Sequence, residues 1–487
     1  MATIMGVEAR SCQALPGWRR SSRPQRLAPF LSSLACPLLP VISRLSSLVW
    51  RSSPAPSIFF PPLLFPALFP AAPCAPTCRK SRMTLPHAAP PSRLRPESIA
   101  VMAFSAGAAV ANIYYVQPLL DVLRQSFPES PHLVALLPTA NQIGFGLGLF
   151  FLVPLGDGLD RRRLIFGQLL FLALALTAAA LAPSAAFLFA ALVAIGIGAS
   201  VAQQIVPFAA ELAPPERRGA TVGTVMSGLL LGILLGRVAS GAIAALWGWR
   251  AVFAMGLGLD ALMALALALA LPAPLPKPPL SYARLLVSLL ALYAELRPLR
   301  RAALAQAGLF GAFSAFWATL ALRLAAPPFH LGPAAAGLFG LVGAAGALAA
   351  PLAGRSADRR GPRAVIRLGI ALTGFSWLVF ALAPTLGAFV LGVILLDLGV
   401  QMALIAHQSV IYALRPEARS RINTVFVTTM FAGGALGSAA AGLLWQEGGY
   451  GAVALLGLAF ALFSMMVHLW PERLLRGGED DAKADRA

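Results

Sequence analysis

The chain has 487 residues, of which 58% are hydrophobic and 12% are charged, and its formal net charge is +19. Soluble domains carry about 25% charged residues, so this composition excludes an ordinary soluble domain and indicates a protein that lies in a lipid bilayer. The positive charge does not indicate nucleic-acid binding, because beyond residue 96 most of the basic residues lie in short segments between apolar runs. We therefore expect the lipid bilayer, and no nucleic acid, as a partner of the chain.

Residues 1–96 differ in composition from the rest of the chain. They are rich in Ser, Arg, Pro and Leu, and they contain all of the cysteines and one acidic residue, Glu8. This composition fits a transit-type targeting peptide, or sequence upstream of a later start at Met83 or Met102. Closely spaced prolines break its apolar pieces and remove backbone donors that a lipid-exposed helix needs. We expect a disordered extension, and no disulfide or thiolate metal site beyond it, because no cysteine follows.

Residues 97–470 form a succession of apolar runs separated by short polar segments. A helix needs about 20 apolar residues to cross the roughly 30 Å of hydrocarbon in a bilayer. We number the runs of this length as spans 1–12: 97–122, 132–155, 163–182, 185–212, 219–245, 249–271, 301–325, 334–354, 363–383, 386–413, 421–446 and 450–470. The sequence therefore predicts an all-α integral membrane protein with twelve transmembrane helices.

The spans fall into two groups of six, 97–271 and 301–470, separated by the segment 272–300. This segment begins with closely spaced prolines, and residues 280–297 then place apolar side chains along one side of a predicted helix. Such a pattern is typical of an amphipathic helix at the membrane surface. We predict two six-helix bundles joined by this linker and followed by a tail at 471–487.

A charged motif occurs once in each half, between its second and third spans. The shared positions are Gly156, Asp160 and Arg161 in the first copy and Gly354, Asp358 and Arg359, followed by Gly361, in the second. Pro215–Arg218 and Pro416–Arg419 form a further pair of related segments. Because each half has an even number of spans, the copies run parallel and form two pseudo-symmetric six-helix bundles, with a binding site expected between them.

The basic residues of the loops are distributed unevenly between the two sides of the membrane. One set of loops contains Arg161–Arg163, Arg217, Arg218, Arg355, Arg415 and further arginines, whereas the other contains Arg124, Arg250 and Arg323. Cytoplasmic loops carry an excess of Lys and Arg. We therefore expect the first set, and both termini, in the cytoplasm.

The loop motifs resemble the signature of the major facilitator superfamily, Gly-x-Leu-x-Asp-Arg-x-Gly-Arg-Arg, although the first copy has Arg163 where the later Gly is expected. The segments Asn112–Leu120, Gly228–Gly241 and His407–Tyr412 resemble a bacterial branch of sugar-efflux or drug:proton antiporters. The resemblance covers residues 97–470. It implies a secondary transporter in the bacterial inner membrane, or in an organelle membrane if the extension is a transit peptide.

The resemblance also implies that the loop motifs latch helix ends together on the cytoplasmic face. The latch residues are then Gly156, Asp160, Arg161, Gly354, Asp358, Arg359 and Gly361. A carboxylate at a helix N-terminus meets the positive end of the helix dipole, and Arg can bridge to a nearby carboxylate such as Glu211, Glu216 or Glu417. The alternative is that these charges only set the orientation of the protein in the membrane and have no latching role.

Spans 5 and 11 carry glycines at every fourth position, a spacing that lets helix backbones approach closely. They are Gly228, Gly232, Gly236, Gly433 and Gly437. The spacing predicts tight packing, and the resemblance adds the hypothesis of a gate that slides during transport.

Polar side chains inside spans are costly in lipid, so they usually face a cavity or a neighbouring helix. The resemblance implies that spans 1, 4, 7 and 10 line a central cavity. The candidate substrate residues are Asn112, Tyr115, Gln117, Asn141, Gln142, Gln203, Gln204, Gln306, Trp317, Gln401, His407 and Gln408. Each could instead make an interhelical hydrogen bond.

Three charged residues lie deep within spans. Asp397 lies on a predicted cavity helix and is the candidate proton carrier. Arg237 could bind an anionic group of a substrate or pair with a deep carboxylate. Asp260 lies on a span that the resemblance places at the periphery, so we predict that it is paired structurally.

These features favour a secondary transporter that moves a small molecule by alternating access, with proton-coupled efflux as the expected activity and the proton gradient as its drive. No Gly-x4-Gly-Lys-Ser/Thr loop occurs in the sequence, which argues against ATP as the energy source.

We predict that the chain has no enzyme activity and needs no cofactor or metal. We also predict that it is a monomer. A non-transporting sensor or scaffold on the same fold, or a membrane-embedded enzyme, are the alternatives.

Overall fold

The computed structural model describes residues 96–271, 281–347, 361–382 and 385–470, and these are helical except for short connections, with no strand among them. The predicted all-α membrane fold is confirmed. The extension up to residue 95, the tail, and three predicted latch residues, Gly354, Asp358 and Arg359, lie outside the described residues.

The first half contains six membrane-length segments, several of which are broken into consecutive helices. Their bounds are Pro96–Tyr114, Gln117–Leu119 and Leu120–Ser126 for span 1; Pro131–Ala135, Leu137–Phe151 and Leu155–Gly158 for span 2; Arg161–Ala180 for span 3; Ala185–Ala199 and Ala202–Leu212 for span 4; Arg218–Trp247 for span 5; and Trp249–Ala270 for span 6.

The second half follows a separate helix, Tyr282–Glu295. Its helices are Arg297–Ala325 for span 7, Pro333–Ala347 for span 8, Pro362–Leu382 for span 9, Leu386–Tyr412 for span 10, and a continuous assignment over Arg419–Leu469 for spans 11 and 12.

The helix Arg419–Leu469 has 51 residues, and its backbone is not helical at Gly449. A helix of that length would extend about 76 Å, far more than the roughly 30 Å of a bilayer core, so it crosses twice. Among the described residues, ten helices are long and apolar enough to span a membrane, and the shorter apolar helix of span 8 is additional. The twelve predicted spans are therefore all represented by helices.

The turn between the last two spans of each half depends on a glycine with positive φ. Gly248 has φ 81° between spans 5 and 6, and Gly449 has φ 60° between spans 11 and 12. This conformation is strained for residues with a side chain, which accounts for glycine at both places. Equivalent caps begin spans 4 and 10: Ser184 accepts a hydrogen bond from the backbone N–H of Phe187, and Thr385 accepts one from that of Ala388.

The linker helix Tyr282–Glu295 contacts both halves. The hydroxyl of Tyr282 donates a hydrogen bond to the carbonyl oxygen of Phe151 at 2.9 Å, at the end of span 2. Glu295 pairs with Arg415, in the turn after span 10, at 3.0 Å. This helix therefore lies at the end of the bundle that carries the Arg-rich loops, which we call the basic face.

Large apolar side chains are exposed on the outside of the bundle, whereas polar side chains within the spans are buried. Leu170, Leu174 and Leu246 are each more than 60% exposed, and Asn141 and Gln306 are fully buried. This is the reverse of a soluble protein, because the surrounding solvent is hydrocarbon and buried polar groups must find partners inside the protein.

The glycines of spans 5 and 11 are sites of close backbone contact with spans 1 and 7. A Cβ atom at Gly232 would collide with the carbonyl oxygen of Gly107, and one at Gly433 would collide with that of Ala307. Spans 1 and 5 therefore form a tight pair in the first half, and spans 7 and 11 form the equivalent pair in the second.

Contacts between the two halves concentrate at the end opposite the basic face, which we call the outer face. Span 5 contacts span 8 at Gly241 and Gly337. Span 2 contacts span 11 where the Thr139 hydroxyl donates to the Ser438 hydroxyl at 3.1 Å, and where the Gln446 amide donates to the Pro131 carbonyl. The halves are closed together on the outer face.

We expect Gly232→Val to lower the apparent melting temperature of the purified protein, because the added side chain would push spans 1 and 5 apart. Overpacking of this kind costs about 1–3 kcal/mol. Gly223→Val is the matched control, since Gly223 lies on the same span and, apart from its own local helix backbone, no atom of the described residues lies within 4 Å of the position that its Cβ would take. Thermal unfolding in detergent gives the melting temperature of each variant. An equal decrease in the two variants would contradict the interpretation that spans 1 and 5 are in close contact at Gly232.

Candidate functional site

A cavity of about 350 Å³ lies at the centre of the bundle, between the two halves. Spans 1 and 5 contribute its first wall, and spans 7, 8, 10 and 11 contribute the second. Its polar and charged lining residues are Tyr114, Ser227, Arg237, Gln306, Asp397 and Gln401, and the rest of its wall is apolar, including Leu230, Phe310, Phe313, Leu404 and Met430.

The cavity extends from its two charged residues towards the basic face. Ser227 and Arg237 both line the cavity and lie on the same span. Ser227 is ten residues nearer the basic face, a distance of about 15 Å along a helix. Met430 occupies a similar level on span 11. The outer end is covered by the contacts between the halves, so the cavity is closed on one side of the membrane.

Arg237 is held in one orientation by groups from both halves. Its Nε donates a hydrogen bond to Oε1 of Gln117 at 2.9 Å. Its guanidinium lies 3.8 Å from the ring centre of Trp317 and 4.6 Å from that of Tyr114. Stacking of a desolvated guanidinium on aromatic rings is attractive by about 2 kcal/mol or more, so these rings stabilise the buried cation.

Asp397 is the buried carboxylate of the same cavity. It is 6% exposed and lines the cavity together with Arg237. Its Oδ2 has no hydrogen-bond partner in the part of the chain that the structure describes. Gly343 of span 8 lies directly against it, since a Cβ there would come within 3.3 Å of both carboxylate oxygens. At Gly343, span 8 thus approaches the carboxylate with its backbone and not with a side chain.

Gln306 and His407 form a second polar pair beside the cavity. Nδ1 of His407 lies 3.0 Å from Oε1 of Gln306, and both side chains are buried. Gln306 lines the cavity, whereas His407 lies behind it and next to Phe426. His407 therefore positions Gln306.

The structure brings together only part of the predicted substrate set. Gln306, Gln401 and the candidate proton carrier Asp397 line the cavity, and Gln117 and Trp317 contact its arginine.

Several other predicted residues instead make contacts between or within helices. The Asn112 amide donates to the carbonyl oxygen of Ala108, the Asn141 amide to that of Ile113, and the Gln204 amide to that of Leu152. These bonds give the amide N–H groups partners inside the protein, which a lipid environment would not supply. These three side chains do not line the cavity in this structure, and their role in substrate binding stays a prediction.

The remaining predicted substrate residues also lie outside the cavity wall. Gln142 accepts a hydrogen bond from Ser314 across the two halves, at 3.3 Å. The ring of Tyr115 packs towards Gly256 of span 6. Gln203 and Gln408 are half-buried and do not line the cavity.

Tyr114 is the main residue that the sequence reasoning missed. It neighbours Tyr115 in the chain, and the rotation of span 1 decides which of the two rings faces Arg237. Phe310 and Phe313 were also missed, although their spacing of three places them on one face of span 7. The arginine in the middle of span 5 could have indicated that aromatic residues lie nearby, because a buried guanidinium needs aromatic or polar neighbours.

The charged motif on the basic face forms a compact set of contacts. Asp160 caps span 3, since its carboxylate accepts a hydrogen bond from the backbone N–H of Arg162 at 2.8 Å. Arg161 is buried and lies 2.9 Å from Asp157 and 3.1 Å from Glu211. The motif therefore ties the ends of spans 2 and 4 to the start of span 3.

Two further contacts extend this motif. The Arg162 guanidinium donates to the carbonyl oxygens of Leu271 and Ala268 at the end of span 6. Gly156 packs against the side chain of Gln204. Gln204 therefore belongs with the charged motif and not with the cavity. In the second half, Gly361 has φ 78° immediately before span 9.

Asp260 is buried in span 6, away from the cavity. It is 3% exposed, and its Oδ1 has no hydrogen-bond partner among the described residues. Its structural pairing stays a prediction.

Arg161→Ala should lower the melting temperature, because it removes both ion pairs of a buried guanidinium at the junction of three spans. Hydrogen bonds to charged groups contribute about 1.5–3 kcal/mol. The control is Arg163→Ala, whose side chain is exposed at the same helix end and should change stability by less than about 0.5 kcal/mol. Indistinguishable thermal unfolding of the two variants would show that the motif does not hold the helix ends together.

Comparison with known proteins identifies the family of the chain. The family model of the Major Facilitator Superfamily matches residues 99–322 and 302–486. The uncharacterized transporter YgaY of Escherichia coli O157:H7 is 42% identical over 379 residues, which cover 78% of this chain and 96% of the relative.

Solved structures show the same fold at low sequence identity. A bacterial homologue of the human lysosomal transporter Spinster, inward-facing and unoccupied, aligns with a TM-score of 0.63 and 15% identity over 77% of this chain and 96% of its own. The peptide transporter POT in complex with alafosfalin aligns with a TM-score of 0.64 and 15% identity, and the alignment covers 78% of this chain and 95% of the transporter. The chain is thus a multi-pass membrane protein with a transport function, and it belongs to the Major Facilitator Superfamily.

Proposed function

We propose that the chain is a secondary active transporter that exports a small molecule by alternating access and couples this movement to protons. The observation that carries the proposal is the central cavity, which has a cation on one half, a carboxylate on the other, and contacts that close it on the outer face. No residue has a catalytic role in this proposal, and the chain acts as a monomer.

The packing of the helices supports alternating access. Each half is held internally by close glycine contacts, whereas the halves touch each other mainly near the outer face. A rocking motion of one half against the other would open the outer face and close the basic one. The structure corresponds to the inward-facing state, the state in which the Spinster homologue was also solved, if the basic face is cytoplasmic.

The sidedness follows from charge and not from the helix packing. An excess of Arg marks cytoplasmic loops, and the basic face carries the loop arginines and both ends of the linker helix. We therefore place this face in the cytoplasm of a bacterial cell and the protein in the inner membrane. Export as the direction rests on the resemblance of spans 1, 5 and 10 to efflux proteins.

Asp397 is the proposed proton carrier. It is an acidic group buried in the cavity, and its Oδ2 has no hydrogen-bond partner among the described residues. The cation Arg237 lines the same cavity from the other half. Proton uptake changes the net charge of the cavity by one, and in a low dielectric this changes the relative stability of the two conformations. That difference links the proton gradient to the movement of the halves.

Asp397→Asn should abolish the coupling of flux to protons. The test uses proteoliposomes that enclose the pH-sensitive dye pyranine, with an imposed pH gradient and a panel of sugars, drugs and organic acids. We expect at least one compound to change the internal pH with the wild-type protein and none to do so with the variant. Asp260→Asn is the matched control, because it neutralises a buried acid that lies outside the cavity.

Two results would contradict the proposal. Unchanged proton coupling in Asp397→Asn would exclude this residue as the carrier. Wild-type protein that folds but moves no compound and no protons would favour the sensor interpretation of the same fold.

A disulfide across the outer face should block transport, because alternating access requires spans 2 and 11 to separate there. Thr139→Cys combined with Ser438→Cys places two thiols at hydroxyl positions 3.1 Å apart. The native cysteines, all within the first 78 residues, are replaced by Ser beforehand. We expect flux to fall at least about tenfold on oxidation and to return with dithiothreitol. Each single variant is the control, and full flux in the cross-linked protein would exclude opening of this face.

A further inference from the structure

We propose that Arg237 is the binding site for the anionic group of the transported molecule, and that this molecule is a compact organic anion with an apolar or aromatic body. The inference rests on the proposed transport function and names its substrate class. It is carried by the geometry of the cavity: one fixed guanidinium at the deep end, a carboxylate on the facing half, and apolar walls between them and the basic face.

The guanidinium is oriented before any ligand arrives. Gln117 accepts a hydrogen bond from its Nε, and the rings of Trp317 and Tyr114 lie on it at 3.8 Å and 4.6 Å. None of these neighbours carries a full negative charge. The arginine is thus immobilised without being neutralised, and a fixed binding group loses little conformational entropy when it binds a ligand.

Part of this guanidinium is left without a partner. Arg237 is 3% exposed, and its Nη2 makes no hydrogen bond within the described residues. Asp397, the carboxylate nearby in the cavity, has an equally unpartnered Oδ2. Among the described residues, no ion pair joins the two side chains, which line the same cavity from opposite halves. Nη2 is enclosed by its neighbours, so a carboxylate or phosphonate in the cavity could accept hydrogen bonds from it, in the fork geometry that arginine favours, after a small shift of the guanidinium or of an aromatic ring.

The rest of the cavity selects an organic ion over an inorganic one. Its volume of about 350 Å³ is at the lower end for small-molecule sites. Phe310 and Phe313 stack on each other at 5.4 Å and form one wall, and Leu230 and Leu404 belong to the apolar lining. An inorganic anion would leave this apolar surface uncovered, whereas a ring attached to a carboxylate would occupy both regions.

Asp397 has a defined role in this arrangement. A ligand carboxylate adds a second negative charge close to its own, so the ionised side chain weakens anion binding. Removal of that charge should therefore strengthen the interaction of the ligand with Arg237. This effect on binding is separate from the loss of proton coupling in the same variant.

The experiment compares phenylacetate with phenylacetamide, which share ring and length but differ in charge. Their binding to the purified full-length chain in detergent is measured by isothermal titration calorimetry. We expect phenylacetate to bind in the millimolar range and phenylacetamide at least about tenfold more weakly. Asp397→Asn should bind phenylacetate more tightly than wild type. Because this variant retains Arg237, its result does not depend on whether an Arg237 variant folds.

Arg237→Gln should remove the preference for phenylacetate, and Arg237→Lys should retain a weaker one. The matched control is Arg323→Gln, since Arg323 also stacks on aromatic rings, those of Phe329 and Tyr450, but does not line the cavity. Equal binding of the two compounds by wild type, or weaker phenylacetate binding by Asp397→Asn, would overturn the proposal. Specific binding without gradient-driven flux would leave the anion site intact and exclude the proposed transport function.

Discussion

A guanidinium buried at the centre of a membrane protein constrains every helix around it. Insertion of an arginine at the middle of a bilayer helix costs about 2.5–3.5 kcal/mol, so the cation persists only where the protein supplies partners. Arg237 obtains a hydrogen-bond acceptor and one aromatic face from span 1, a second aromatic face from span 7, and an opposite charge from span 10. The interaction therefore joins the two halves of the molecule at the cavity.

The groups of span 1 reach Arg237 because spans 1 and 5 approach very closely. The approach depends on positions that hold no side chain, such as Gly107 and Gly232, where any Cβ would meet backbone atoms. The second half repeats the packing at Gly433 and Gly437, but the next residue there is Ser438 in place of an arginine. Ser438 bonds to Thr139 and helps to close the outer face. The duplicated packing forms the scaffold, and the departures from the duplication create the site.

Features with a local physical cause could be predicted from the sequence. Apolar length identified the spans, since lipid allows no other backbone arrangement for them. The capping role of Asp160 was also predictable, because the acceptor and the N–H groups of a helix start are neighbours in the chain. The interaction of Arg161 with Glu211 was anticipated as a candidate, and the structure supplies its geometry.

The sequence by itself determined the class of the protein, its two repeated halves and the identity of its buried charges, because lipid solvation imposes these patterns on residue type and spacing. Only the tertiary structure decided which polar side chains share a space. Tyr114 and Tyr115 are adjacent in the chain, yet one faces Arg237 and the other faces span 6. Likewise Gln306 lines the cavity while Gln204 bonds to Leu152. The physical reason is that helix rotation and crossing are set by glycine contacts between segments distant in sequence, which no local pattern encodes.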